Sequence, residues 1–270
     1  MALPVAPFSL MQRRTFLAFH GAALLGMPAL GQVRDLNDAI NKAGRQRMLS
    51  QRTAKAYLAQ ALQAQTQQAA RIMDESMARF DRQLVELKAF APSPAIRDTY
   101  LQLEAAWAVY KERLVGKMPS VAGAEAVAKQ SNVVLALAHK GTGQLEQASG
   151  APVGHLVNVA GRQRMLSQRL AAYCYAVAAK VNTEASLAEI QKARYEFLAG
   201  MRELRSAPQA TEQIKRELQL GEEQWVFFDS ALQRAQAGAM SKESLSYVFV
   251  SSENLLSVMD KVTGLYAALG

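Results

Sequence analysis

The chain has 270 residues, half of them hydrophobic, and a formal net charge of +8. A single cysteine, Cys174, excludes an internal disulfide framework, and His20, His139 and His155 are too few and too scattered for a zinc or iron centre, so no metal or other cofactor is expected. Gly and Pro are sparse while Ala, Leu, Gln, Glu, Arg and Lys dominate, a balance that favours helices over sheets.

In chain order the first expected element is an export signal over residues 1–31. "MQRRTFLAFHGAALLGMPALGQ" sets Arg13 and Arg14 before an apolar run from Phe16 to Leu30 and closes on the small residues Ala29 and Gly31. Arg13-Arg14-Thr15-Phe16-Leu17 resembles the twin-arginine export motif, which implies a periplasmic location. That run falls short of the roughly 20 residues a membrane span needs, and no longer apolar segment follows, so a mature chain without membrane spans is expected. Losing the two arginines would bring the charge from +8 to +6. No basic run is interleaved with aromatic residues, and nucleic acid is not expected as a partner.

Periodic segments follow at about 35–64, 68–90, 95–114 and 121–148. Pro92 and Pro94, then Gly116 and Pro119, mark the breaks, and Ser93 before Pro94 reads as an N-cap with proline in the first turn. After Gly150-Ala151-Pro152 come segments at about 153–181, 185–206, 209–236 and 241–268. If the fourth helix runs on into the fifth, the two halves share a continuous rod.

The halves are related. "AGRQRMLSQR" stands at 43–52 and again, letter for letter, at 160–169. Ala78-Arg79-Phe80 answers Ala193-Arg194-Tyr195, Trp107 answers Trp225, and "KGTG" at Lys140 answers "KVTG" at Lys261. The fold class predicted is all-α: two tandem four-helix up-down bundles, over about 35–148 and 152–270, after the signal peptide. Trp107 and Trp225 are the expected core plugs of the third helices, with Met48 and Met165 as core fillers.

On a helical wheel the core stripe of the first helix reads Leu36, Ile40, Ala43, Arg47, Ala54, Leu58 and Ala61. The second copy gives Val157, Ala160, Arg164, Ala171, Tyr175 and Ala178. An arginine thus sits where an apolar residue is expected, while Arg45, Arg52, Arg162 and Arg169 point to the side. An unpaired guanidinium buried in a helix interface costs several kcal/mol. A carboxylate from a neighbouring helix, carbonyls at a frayed helix end, a snorkelling side chain, or a bound planar oxyanion each removes that cost. Two such arginines on matching helices repel, and an anion clamped between Arg47 and Arg164 relieves the repulsion. Gly44 and Gly161 would allow close approach, with Gln51 and Gln168 along the edge of the site.

"NKAGRQRMLSQR" resembles the P-box of NarX-type nitrate/nitrite sensor kinases and the N-terminal domain of PilJ-type, type IV pili methyl-accepting chemotaxis transducers. The resemblance covers both halves and is specific in their first helices, where the decapeptide is closer to the PilJ-type pattern. It implies a four-helix sensing bundle and, from the nitrate sensors, an anion held between two first helices. Carried over, the binding arginines fall on Arg47 and Arg164, the backbone-contacting glycines on Gly44 and Gly161. Arg45, Arg52, Arg162 and Arg169 would supply supporting positive potential. With no kinase, HAMP or methyl-accepting region after the sensor units, the expected role is an exported protein that binds nitrate or nitrite and reports to a membrane sensor or transport partner.

Against an enzyme, there is no glycine-rich phosphate loop, no Cys/His ligand set and no nucleophile–base pair. Glu104, Glu222 and Glu223 read as solvated or salt-bridged faces. The remaining alternative is a ligand-independent helical scaffold or adaptor for a membrane receptor or pilus system.

Overall fold

The computed structural model describes residues 32–237 and 240–269; the expected export signal at 1–31 lies outside them. Among the described residues there are eight helices and no strand: α1 (Leu36–Ala61), α2 (Thr66–Phe90), α3 (Pro94–Leu114), α4 (Val121–Ser149), α5 (Pro152–Ala178), α6 (Thr183–Ser206), α7 (Glu212–Ala237) and α8 (Lys242–Ala267). None of these helices is long and apolar enough to cross a membrane.

Their ends follow from local chemistry. Asp35 caps α1 by accepting from the Asp38 amide at 2.8 Å, and Ser93, Ser120 and Ser241 cap α3, α4 and α8 in the same way. Pro94 and Pro152 occupy first turns, where no intrahelical donor is lost. The α1–α2 and α5–α6 loops repeat one another down to their backbone: Gln63 and Gln65, like Lys180 and Asn182, lie in the left-handed region.

Each set of four helices packs as a bundle, α1 on α2 and α4, α3 on α4; then α5 on α6 and α8, α7 on α8. Each is plugged by a tryptophan stacked on a phenylalanine of the second helix: Trp107 on Phe80 with centroids 3.9 Å apart, Trp225 on Phe197 at 4.3 Å. These stacks correct the repeat register in the second helices. Phe80 corresponds to Phe197, and the Tyr195 expected to match it is exposed. The sequence match at Ala-Arg-aromatic was a coincidence two residues out of frame.

The continuous rod does not form. Gly150, in the left-handed conformation at φ 60°, closes α4, and the chain reverses within two residues into α5. α5 therefore folds back alongside α4 and against α1, in the most extensive interface of the molecule. Contacts in reverse order run α8 antiparallel to both: Arg45 and Arg52 of α1 meet Asp260 and Glu253, and Arg164 and Tyr175 of α5 meet Asp260 and Leu245. α1 and α5 are consequently parallel, related by a pseudo-twofold axis between them.

That arrangement explains why the first helix is buried along most of its circumference. α1 is enclosed by α2, α4, α5 and α8, and all of Gln46–Gln51 is buried. Alanines such as Ala39, Ala43, Ala54, Ala56 and Ala59 fill this central position because they keep the helix axes close. Longer polar side chains fit only where each finds a partner.

Candidate functional site

The axis passes between Gly44 and Gly161. A Cβ built on Gly44 would lie 3.7 Å from the Gly161 Cα, and the reverse holds equally. The missing side chains leave just enough room for the tips of two arginines. The Nη2 atoms of Arg47 and Arg164 both come within 3.4 Å of the Cβ position at either glycine. Both side chains are completely buried. The structure thus brings together the four residues that the wheel and the P-box resemblance singled out.

Each arginine reaches across the seam. Arg47 Nη2 donates to the Asn158 carbonyl of α5 at 3.1 Å, and Arg164 Nη2 donates to the Asn41 carbonyl of α1 at 3.0 Å. These acceptors are equivalent, and the bonds are possible because carbonyls so close to a glycine contact are reachable from the other helix. The accepting carbonyls lie inside α5 and α1, not at the frayed helix end that the sequence suggested.

Beyond the seam the symmetry fails. Arg164 Nη1 donates to Asp260 Oδ1 of α8 at 2.5 Å, which also accepts from Arg45 at 2.8 Å. Arg47 Nη1 instead faces His139 Nδ1 of α4 at 3.3 Å. Since arginine only donates, Nδ1 accepts and the ring carries its proton on Nε2. Burial, with Arg162 and Arg164 nearby, pulls the Arg47 guanidinium down to about 9; burial, with Arg47 and Arg162, pulls His139 down to about 4. At neutral pH, then, Arg47 is a buried cation beside a neutral imidazole, with no carboxylate in ion-pair contact among the described residues. For Arg164, burial and Arg45 lower the value to about 10 against the pull of Asp260, while Asp260 itself is held well below the usual carboxylate range by Arg164 and Arg45 despite its burial. The Nε of each arginine is buried without a hydrogen-bond partner.

The other expected residues take separate places. Gln51 and Gln168 turn away from the seam: Gln168 Nε2 donates to the Ser252 carbonyl of α8 at 2.9 Å, and Gln51 makes the equivalent, longer contact with the Ser131 carbonyl of α4. Arg52 pairs with Glu253 of α8, joined there by fully buried Lys55 at 2.6 Å. Arg169 binds Glu189 at 2.8 Å and the Tyr173 hydroxyl at 3.0 Å. Arg162 reaches the surface beside His139. Glu104 and Glu222 sit in exposed ion pairs with Lys88 and Arg205, as their helical spacing suggested.

Sequence reasoning missed His139 and Asp260, the residues that make the two arginines different. The signal was present: "HKGTG" and "DKVTG" are the matched tracts, and the residue ahead of each lysine is the one that meets the arginine.

No curated protein and no solved structure matches the chain. A family of sensory rather than catalytic domains does, PilJ, described as the type IV pili methyl-accepting chemotaxis transducer N-terminus, over residues 29–139 and again over 146–247. With two tandem matches covering most of its length, the chain belongs to the PilJ family.

Proposed function

We propose that this protein is an exported, periplasmic sensor of a small oxyanion, nitrate or nitrite, which binds in the α1–α5 seam and reports to a membrane partner. Arg47 and Arg164 are the principal ligands, Gly44 and Gly161 give the anion access to the backbone, and Arg45, Arg52, Arg162 and Arg169 raise the surrounding potential. The observation that carries this reading is Arg47, a fully buried guanidinium with a neutral histidine where its twin has an aspartate. A planar anion offers the fork of each arginine the acceptor that its unpartnered Nε lacks. Binding there would tighten the parallel α1–α5 pair, the most extensive contact between the two bundles.

A second reading has its own observation. Each arginine already holds a carbonyl of the opposite helix, which suits a ligand-independent clamp in a scaffold or adaptor. Thermal unfolding in nitrate, nitrite, chloride and sulfate at matched ionic strength separates the two. An oxyanion at 100 times its dissociation constant adds about 2.7 kcal/mol of stability. A rise with nitrate or nitrite that disappears in Arg47→Gln supports the sensor. An unfolding midpoint indifferent to all four salts overturns it in favour of the clamp.

A further inference from the structure

The pseudo-twofold axis relates the α1–α8 seam to the α4–α5 seam, and the two are opposite in chemistry. At α1–α8, Asp260 and Glu253 neutralise Arg45, Arg52 and Lys55. At α4–α5 the equivalent positions are His139 and Asn132 facing Arg162, Arg169 and Ala172. Both carboxylates are absent, and one cation is replaced by a methyl group. Here a cleft of about 320 Å³ opens, lined by Asn132, Leu135, His139, Arg162, Met165 and Glu196. That is the lower end of the size range for small-molecule pockets.

Arg169 is occupied with Glu189, but Arg162 makes no side-chain hydrogen bond or ion pair among the described residues. Glu196, from α6, lines the same cleft and is equally without a partner there. A cation and an anion therefore face one space without closing on each other. With Nδ1 engaged by Arg47, His139 has Nε2–H left to donate. Leu135 and Met165 supply an apolar floor between the charges.

We propose that this cleft binds a small α-amino acid, its carboxylate on Arg162 and His139 Nε2–H, its ammonium on Glu196, and a short apolar side chain over Leu135 and Met165. The ligand supplies the carboxylate that Asp260 supplies on the other side of the axis. The cleft adjoins the seam between Gly44 and Gly161 through His139, which faces both, but does not rest on oxyanion binding there.

The test is titration calorimetry and thermal unfolding of the full chain with each common L-amino acid in turn. For the best of them, the matching carboxylic acid without the amino group and the amine without the carboxylate are compared. Binding by an amino acid is expected, with both truncated analogues weaker by roughly tenfold or more, equivalent to about 1.4 kcal/mol. Arg162→Gln should abolish it and Arg45→Gln, the twin position, should keep it. Asn132→Glu combined with His139→Asp rebuilds the carboxylates of the other seam and should also abolish binding in a folded protein. The proposal is overturned if no L-amino acid binds, if the acid alone binds as tightly, or if Arg162→Gln is indifferent. A nitrate response should be lost in Arg47→Gln and only weakened in Arg162→Gln, whereas the amino-acid response should be lost in Arg162→Gln, so either can fail alone.

Discussion

His139 is the structural counterpart of Asp260, 121 residues earlier in the chain, and each lies against the buried arginine of its own bundle. One contact is a 2.5 Å ion pair; the other is a 3.3 Å hydrogen bond to a neutral ring. First helices that share an identical decapeptide are thus held in unlike electrostatic settings by their last helices.

Exchanging these partners should move stability in opposite directions. Asp260→Asn removes the charge that Arg164 and Arg45 share and leaves one neutral amide oxygen to accept from them; a loss of about 1.5–3 kcal/mol is expected, as for a hydrogen bond to a charged group. His139→Asp gives Arg47 and Arg162 the carboxylate they lack and should raise the unfolding midpoint. It should also blunt any response to nitrate, because the protein then supplies its own anion. Urea unfolding of both variants with and without nitrate checks the pair.

The histidine also sets a pH dependence. Its proton affinity is lowered from 6.5 in an open chain to about 4 in the fold. Between those values the unfolded chain holds a proton that the native protein does not, so stability rises with pH across the window and falls on acidification through it. Burial is the largest cause, with Arg47, Arg162 and Arg169 adding to it and Glu146 partly offsetting them. Unfolding free energies of wild type and His139→Gln, measured from pH 7 to pH 4, should converge as the pH falls. Parallel curves would show that the imidazole is not the group titrating.

Gly44 tests how tightly the seam is closed. An alanine Cβ there meets the two guanidinium tips at 3.2 and 3.4 Å, which flexible side chains absorb by moving a few tenths of an ångström. Replacing a helical glycine by alanine gains about 1 kcal/mol in propensity, so Gly44→Ala should come out near neutral in stability. Gly44→Leu cannot be absorbed with the Gly161 backbone opposite and should force α1 and α5 apart. The expected sign is a denaturation curve that splits into two transitions, as the bundles lose the interface that couples them.

Much of this architecture was legible in the sequence, and the reason is periodicity. All eight helices lie within three residues of their predicted spans because serine caps, prolines and glycines punctuate strongly helical segments. The pairing of Arg47 with Arg164 was legible because a repeat containing a misplaced arginine implies two equivalent sites. What periodicity does not encode is which way the chain turns between repeats. The return of α5 along α1 depends on the left-handed Gly150. Once α5 returns, an edge of α1 is covered by α8, and the placement of Arg52 and Lys55 follows from contacts with residues about 200 positions away. The Phe80–Phe197 register likewise emerged only from the tryptophan stacks, since the local match at Tyr195 was stronger in letters than in burial.

Lys55 is the most consequential of those distant contacts. It is fully buried, donates to Ser252 Oγ at 2.9 Å and Glu253 Oε1 at 2.6 Å, and lies 4.2 Å from the Phe249 ring centroid. Burial brings its ammonium down to about 8, against the pull of Glu253. Burial alone would raise Glu253, but Lys55 and Arg52 hold it down at about 2. The two halves of the pair are therefore not equivalent. Lys55→Met leaves Glu253 with Arg52 as its partner and replaces the stem by an apolar chain of similar length. Glu253→Gln strands an ammonium with no exposed surface, a change that costs about 3–5 kcal/mol when a buried pair loses one member. Glu253→Gln should accordingly be much the more destabilising in urea unfolding at pH 7, and adding Lys55→Met to it should recover most of the loss. Because the Glu253 carboxyl is depressed in the fold, its contribution is complete above its ordinary value of 4.5 and disappears as the pH falls toward 2, so the gap between wild type and Glu253→Gln should narrow over that interval. Equal losses from the two single variants would mean that α8 is held to α1 by Arg52 and packing alone.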